Sequence, residues 1–152
     1  MQFKVLLAAL ALLFTSCLPL RAANLDDKIF DQDSINALQA KILQSTPKEQ
    51  CFLYAELLHQ MTEVSVRQYA SGDDVKAHAL LKQVQVLAHK IHLSMSEDNK
   101  RLKNAQILLR HTAFRLTEML HSSSLEDQPL LADTLAQVNK AQDETMLEVF
   151  RK

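Results

Sequence analysis

Two Glu-x-x-His tetrads stand out in this chain, Glu56-Leu57-Leu58-His59 and Glu118-Met119-Leu120-His121. On a helix that spacing puts a carboxylate and an imidazole on one face, a turn apart, where they could hold a transition metal. His78, His89 and His92, three of the six histidines, form a second set, a loose stripe shared with Gln85. His89 and His92, with His78 behind them, are candidates for a metal. Two imidazoles make a weak site, because a structural zinc takes four protein ligands. Cys51 offers a third chemistry. It falls in the first turn of its helix, where unpaired N–H groups favour a thiolate. A nucleophile also needs a general base and an oxyanion pocket, and no loop here would build either. Cys51 then packs as a small buried hydrophobe or joins an intermolecular disulfide.

The paired tetrads resemble those of four-helix di-iron proteins, in which two such motifs face inward and each remaining helix adds a glutamate. The resemblance covers these tetrads alone, and helical phase opposes it. At about 100° per residue, Glu118 lies roughly 180° from the apolar stripe of its helix. Glu56 falls with Gln60, Glu63 and Arg67 on a polar face, and the helix expected over 74–95 has no glutamate. Solvated helix faces are the expected reading, and no metal or other cofactor is expected. A weak metal- or haem-handling bundle using the histidines is the alternative. Covalent c-type haem is excluded, because no Cys-x-x-Cys-His is present.

The elements that position these groups follow from punctuation and periodicity. Thr46-Pro47-Lys48-Glu49 reads as a capping box with proline at the first helical position. Gly72 supplies a left-handed residue to end that helix, and Asp73-Asp74 put negative charge at the start of the next. Ser96-Glu97-Asp98-Asn99 and Ser122-Ser123-Ser124 mark further breaks, and Pro129 opens the last helix. The expected helices are 34–43, 47–71, 74–95, 98–122 and 129–150. The four long ones carry apolar stripes at 3.6-residue spacing: Tyr54, Leu57, Met61, Val64; Ala77, Leu80, Val84, Leu87, Ile91; Leu102, Ala105, Leu109, Ala113, Leu116, Leu120; and Leu131, Leu135, Val138, Met146, Val149. The expected fold is all-α, an up-down-up-down four-helix bundle with a short extra N-terminal helix. The stripes of 80–91 and 102–120 are nearly in phase, so one long central helix over 74–122 with flanking antiparallel helices is the geometric alternative.

A second, narrower strip accompanies two of the histidines: Phe52 and Val66 beside His59, and Ile107 and Phe114 beside His111. These six residues are the partner-binding candidates. They either bury against the short N-terminal helix or another subunit, or remain open as partner-binding surface.

Composition narrows the classes further. The 152 residues carry 17 Lys and Arg against 18 Asp and Glu, so nothing points to nucleic acid. The basic residues Lys100, Arg101, Lys103, Arg110 and Arg115 scatter round their helix and read as a solvated face. A single glycine leaves no phosphate-binding loop or dinucleotide fingerprint. Lys4 followed by the apolar run Val5–Phe14 reads as a secretory signal peptide over 1–22, because ten residues span about 15 Å, half of a ~30 Å hydrocarbon core. One helical domain over 23–152 would follow. Phe14-Thr15-Ser16-Cys17 resembles a bacterial lipobox, and lipidation at Cys17 is the one route to a membrane. The expectation is an exported, secreted or periplasmic, non-enzymatic bundle that acts as a binding or assembly module of a bacterial cell envelope. Its partner would be another protein or itself.

Overall fold

The computed structural model describes residues 30–95 and 99–151, and these are all-helical, with no strand among them. The expected signal peptide over 1–22 and Cys17 lie outside the described residues. Helix α1 spans Gln32–Leu43, α2 Pro47–Ala70, α3 Asp74–Leu93, α4 Asn99–Ser122 and α5 Gln128–Phe150. The chain's own chemistry sets the ends. At α1 the Ser34 N–H donates to Asp31 Oδ1 at 2.8 Å, and the Asp31 N–H donates to Ser34 Oγ at 3.0 Å. Such reciprocal capping satisfies two otherwise orphaned donors. At α2 Pro47 fills the first turn, and the Thr46 N–H donates to Glu49 Oε2 at 3.1 Å. Gly72 has φ +77° and closes α2. Its N–H reaches the Tyr69 carbonyl at 3.0 Å, and the Asp73 N–H reaches the Gln68 carbonyl at 2.8 Å. That pair of bonds is a Schellman ending, which needs the left-handed residue.

Two helical hairpins result, α2–α3 and α4–α5. They pack with α2 against α4 and α3 against α5. No contact joins α3 to α4 or α2 to α5 among the described residues, so these pairs lie across the bundle's diagonals. The bridges between α2 and α4 run Glu49–Arg101, His59–Thr112, Glu63–Arg115. Both numbers rise together, so α2 and α4 are parallel. The bridges His78–Asp127, Gln85–Asp133 and His92–Glu144 make α3 and α5 parallel too. This order rules out the single rod over 74–122. Such a rod would run α4 antiparallel to α2, whereas α3 ends at Leu93 with Ser94 as its cap.

The stripes of α2, α3 and α4 form the core, where Leu58, Met61, Leu81, Ile91, Leu109 and Leu116 are fully buried. On α5 the buried line is Leu131, Thr134, Val138, Ala141 and Thr145, and the expected Met146 is exposed instead. Threonine can occupy such positions because its hydroxyl bonds the preceding turn. Thr134 donates to the Leu130 carbonyl and Thr145 to the Ala141 carbonyl, both at 2.7 Å. Among the described helices α1 packs on α2 only, and it buries Ile35, Leu38 and Ile42, each contributing roughly 1.5–3 kcal/mol of apolar burial. No described helix is long and apolar enough to cross a membrane.

Candidate functional site

The face of α2 that carries Glu56, Gln60 and Glu63 is not solvated as expected, because α4 lies against it. The Arg115 guanidinium donates to Glu63 at 2.9 and 3.4 Å and to Glu118 at 2.7 Å. Arg115 and Arg101, read as part of a solvated basic face, are therefore bridges of this seam. Both are partly exposed, so each bridge contributes about 0.2–1 kcal/mol and mainly sets register.

His59 is half-buried between the hairpins, with its Nδ1 3.1 Å from Thr112 Oγ1. The Thr112 hydroxyl proton is already given to the Leu108 carbonyl at 2.9 Å. Thr112 Oγ1 is then the acceptor, which fixes His59 as the Nδ1–H tautomer when neutral. The Phe30 ring stands edge-on to the imidazole at 5.9 Å. Burial pulls the His59 pKa below its ordinary value. Glu63 opposes that shift, and the charges of His111 and Arg115 add to it.

An open groove of ≈ 440 Å³ runs beside His59 between α2 and α4, walled by Phe30, Phe52, Ile107 and Leu108. Gln60 lines it and is only 3% exposed, and its side-chain oxygen is buried with no hydrogen-bond partner. Leaving a buried acceptor unpaired costs about 1–3 kcal/mol, so a side-chain rotation that brought this oxygen to a donor in the groove would be favoured. Of the six partner-binding candidates, Phe52, His59 and Ile107 meet in this groove. His111 is exposed near His59. Ile107 is 49% exposed, and Phe114, two turns further along α4, is 62% exposed. Val66 is elsewhere, half-buried in the cleft by Tyr69 and Met119. There the Tyr69 phenol is pushed up to about 12 by burial, and its oxygen also lacks a partner. The strips are therefore divided. The α2 strip is partly covered by Phe30 and α4, and the α4 strip stays open. Gln60 escaped sequence reasoning because it sits among charged residues, and only the arrival of α4 buries it.

Two of the α3 histidines, His78 and His92, bridge to the α5 side and make the other seam, while His89 and His92 remain exposed at the surface as expected. His78 Nε2 donates to Asp127 at 2.7 Å and His92 Nδ1 to Glu144 at 2.9 Å. Between them the Gln85 amide donates to Asp133 at 3.0 Å and Thr134 at 2.9 Å. Asp127 is held below the usual carboxylate range by the Ser124 hydroxyl and by His78. The His89 and His92 rings stack at 6.3 Å, and no three His, Cys, Asp or Glu converge as metal ligands among the described residues. Glu118 is exposed and paired to Arg115, and His121 is exposed. Cys51 is 1% exposed, and burial pushes its thiol up to about 11, which opposes the thiolate that a helix start would favour. Its surroundings are those of a packed hydrophobe.

These features define, over the described residues, a five-helix all-α bundle with two polar seams and an unfilled groove beside His59. No protein-family model matches the chain, and no curated protein or solved structure matches it.

Proposed function

We propose that this chain is an exported, non-enzymatic bundle, secreted or periplasmic, that serves as a binding or assembly module of a bacterial cell envelope through the α2/α4 face. The observation that carries the reading is the partnerless, buried Gln60 oxygen in the groove that the exposed Ile107 lines, with Phe114 exposed two turns further along α4. An apolar groove with one unmet acceptor fits a protein segment that presents an aliphatic or aromatic side chain next to an N–H donor. Partner helices that dock by such anchors need a rigid receiving surface, and two helices locked by three polar bridges provide one.

In-cell photo-crosslinking tests this. A benzophenone amino acid replaces Ile107 or, separately, Phe114, with the exposed Asp143 of α5 as the control position. The proposal expects a discrete protein adduct from the α4 positions and none from the control. An adduct of twice the chain mass identifies self-association, and any other mass identifies a different partner. Equal, diffuse labelling at all three positions overturns the assignment of this face.

A further inference from the structure

Helix α1 rests on α2 without reaching α3, and the gap is a crevice of ≈ 340 Å³ on the other side of α2 from the Gln60 groove. Its surface is mainly apolar, with the amides of Gln39 and Gln83 among the lining groups. Ile42 and Leu43 come from α1, Val86 and Leu87 from α3, and Leu57 and Met61 form the floor. Leu43 is 87% exposed and Val86 57% exposed, so two large apolar side chains face water across one trough. Isolated exposed hydrophobics are commonplace, but a pair flanking a shared apolar floor is a surface that something else can cover.

Charge selects what covers it. The residues lining the crevice include one charged group, Lys90, and no acid. The Lys90 ammonium sits over the Tyr54 ring, 5.7 Å from its centroid, and no carboxylate lies within ion-pair distance of it among the described residues. Helix α3 reinforces the sign, because Asp74 at its start is its one acid. A trough with a single cation at one end is complementary to an apolar tail carrying a single negative charge. At ≈ 340 Å³ the trough has space for an alkyl chain and not merely for a few small groups.

We propose that the crevice between α1 and α3 binds a medium-chain fatty acid, with its tail along Leu43, Leu57 and Val86 and its carboxylate on the Lys90 ammonium. This site is separate from the α2/α4 face and does not depend on the function proposed for it. A single-chain phospholipid presents a similar tail and negative charge. Beside Lys90 the lining offers only neutral donors, Tyr54, Gln39 and Gln83, so one cation matches one carboxylate and the larger phosphate headgroup finds no second positive charge; the free carboxylate is the assigned ligand.

Calorimetric titration of the protein with dodecanoate, below the concentration at which it aggregates, tests the proposal. Dodecyltrimethylammonium supplies the same tail with opposite charge, acetate supplies the head alone, and a twelve-carbon lysophosphatidylglycerol supplies the alternative headgroup. The expected result is one dodecanoate per chain, bound at least about tenfold tighter than the other three, which is the scale of one charge-assisted hydrogen bond. Lys90→Glu should abolish or reverse the preference between the two charged amphiphiles. Val86→Glu should weaken dodecanoate about tenfold or more. Both positions are exposed, so circular dichroism and Tm should show an intact fold. Equal affinity for both charges, tighter binding of the lysolipid, or indifference to Val86→Glu overturns the proposal. So does a concentration-dependent doubling of mass that Val86→Glu removes, because a second copy would then be the occupant.

Discussion

Replacing Gln60 by methionine should make the protein more stable while weakening the proposed partner contact. Methionine has the same unbranched reach, is a good helix former and fills irregular space, so backbone and packing change little. The substitution removes a side-chain oxygen that is fully buried and unpaired. An unmet acceptor costs about 1–3 kcal/mol, and thioether burial at a position 3% exposed replaces the amide's own contacts. Allowing for imperfect repacking, the net gain is about 1–2 kcal/mol. For a chain of this size that raises Tm by roughly 3–8 °C. Urea unfolding should show a higher midpoint at unchanged slope, the signature of a native-state effect. A parallel Gln60→Glu variant should lose stability at neutral pH and recover part of it on acidification, because burial penalises the carboxylate more than the protonated acid. A loss of more than about 1 kcal/mol in Gln60→Met would refute the reasoning, because it would mean that the oxygen contributes a hydrogen bond in the free protein.

Four further outcomes follow from the same geometry. The His59 pKa is lowered in the fold, so just below pH 6.5 the unfolded chain takes up a proton that the native state resists, and stability falls as pH drops through that window. Urea midpoints between pH 7.5 and 5.5 should therefore decline less steeply in His59→Phe than in the wild type, and identical slopes would exclude the assignment. A double-mutant cycle of Glu63→Gln and Arg115→Gln should give a coupling of about 0.5–1 kcal/mol, as suits a partly exposed bridge, and a vanishing value would make the α2/α4 seam purely apolar in effect. Gly72→Ala should cost about 1 kcal/mol in thermal or urea unfolding, through its φ of +77° alone, because no atom lies within 4 Å of an added Cβ. Cys51 should stay inert to an aromatic disulfide reagent until the protein is unfolded, and rapid native-state labelling would contradict its burial.

The helices themselves were legible in the sequence because their ends depend on local chemistry. Thr46-Pro47 with Glu49, and Gly72 after Ser71, act within a few residues, so no tertiary knowledge is needed to read them. The apolar stripes of α2, α3 and α4 were readable for the same reason. Residues whose environment is supplied from far along the chain were not. Gln60 belongs by type and phase to a wet face, and only α4 turns that face into a seam. His92 has no acid one turn away on α3, and His78 bonds Asp127 rather than Asp74 of its own helix. Both partners, Asp127 at the cap of α5 and Glu144 within it, come from 49 and 52 residues further along the chain. Thr134 and Thr145 look unfit for a core until their hydroxyls are seen to bond the preceding turn. Of the candidate site, Phe52, His59 and Ile107 were visible as members of amphipathic strips. Their meeting depended on the parallel pairing of α2 and α4.

That pairing has an electrostatic cause that was present in the sequence as helix-by-helix charge. Helix α4 carries Lys100, Arg101, Lys103, Arg110 and Arg115 against the single acid Glu118. Helix α3 carries Lys76, Lys82 and Lys90 against Asp74. Helix α5 is acidic, with Asp133, Asp143, Glu144 and Glu148 against Lys140, and the α4-facing side of α2 presents Glu49, Glu56 and Glu63. A bundle in which each helix sits beside its chain neighbour throughout would place basic α3 against basic α4. Crossing the diagonal between Leu93 and Asn99 instead sets each basic helix between two helices that present acids. It also permits the bridges from Arg101, Arg115, His78 and His92. At roughly 0.2–1 kcal/mol apiece for partly exposed pairs, the two arginine bridges, Arg101–Glu49 and Arg115–Glu63, alone favour the observed arrangement by about 0.5–2 kcal/mol, and the His78 and His92 hydrogen bonds act in the same direction. The upper end of that range is a sizeable share of the ~5–15 kcal/mol that holds an ordinary domain together. Apolar stripes bring the four helices together in either arrangement, since both bury the same leucines. The charges choose between them, and the parallel α2/α4 groove with Gln60 at its base follows from that choice.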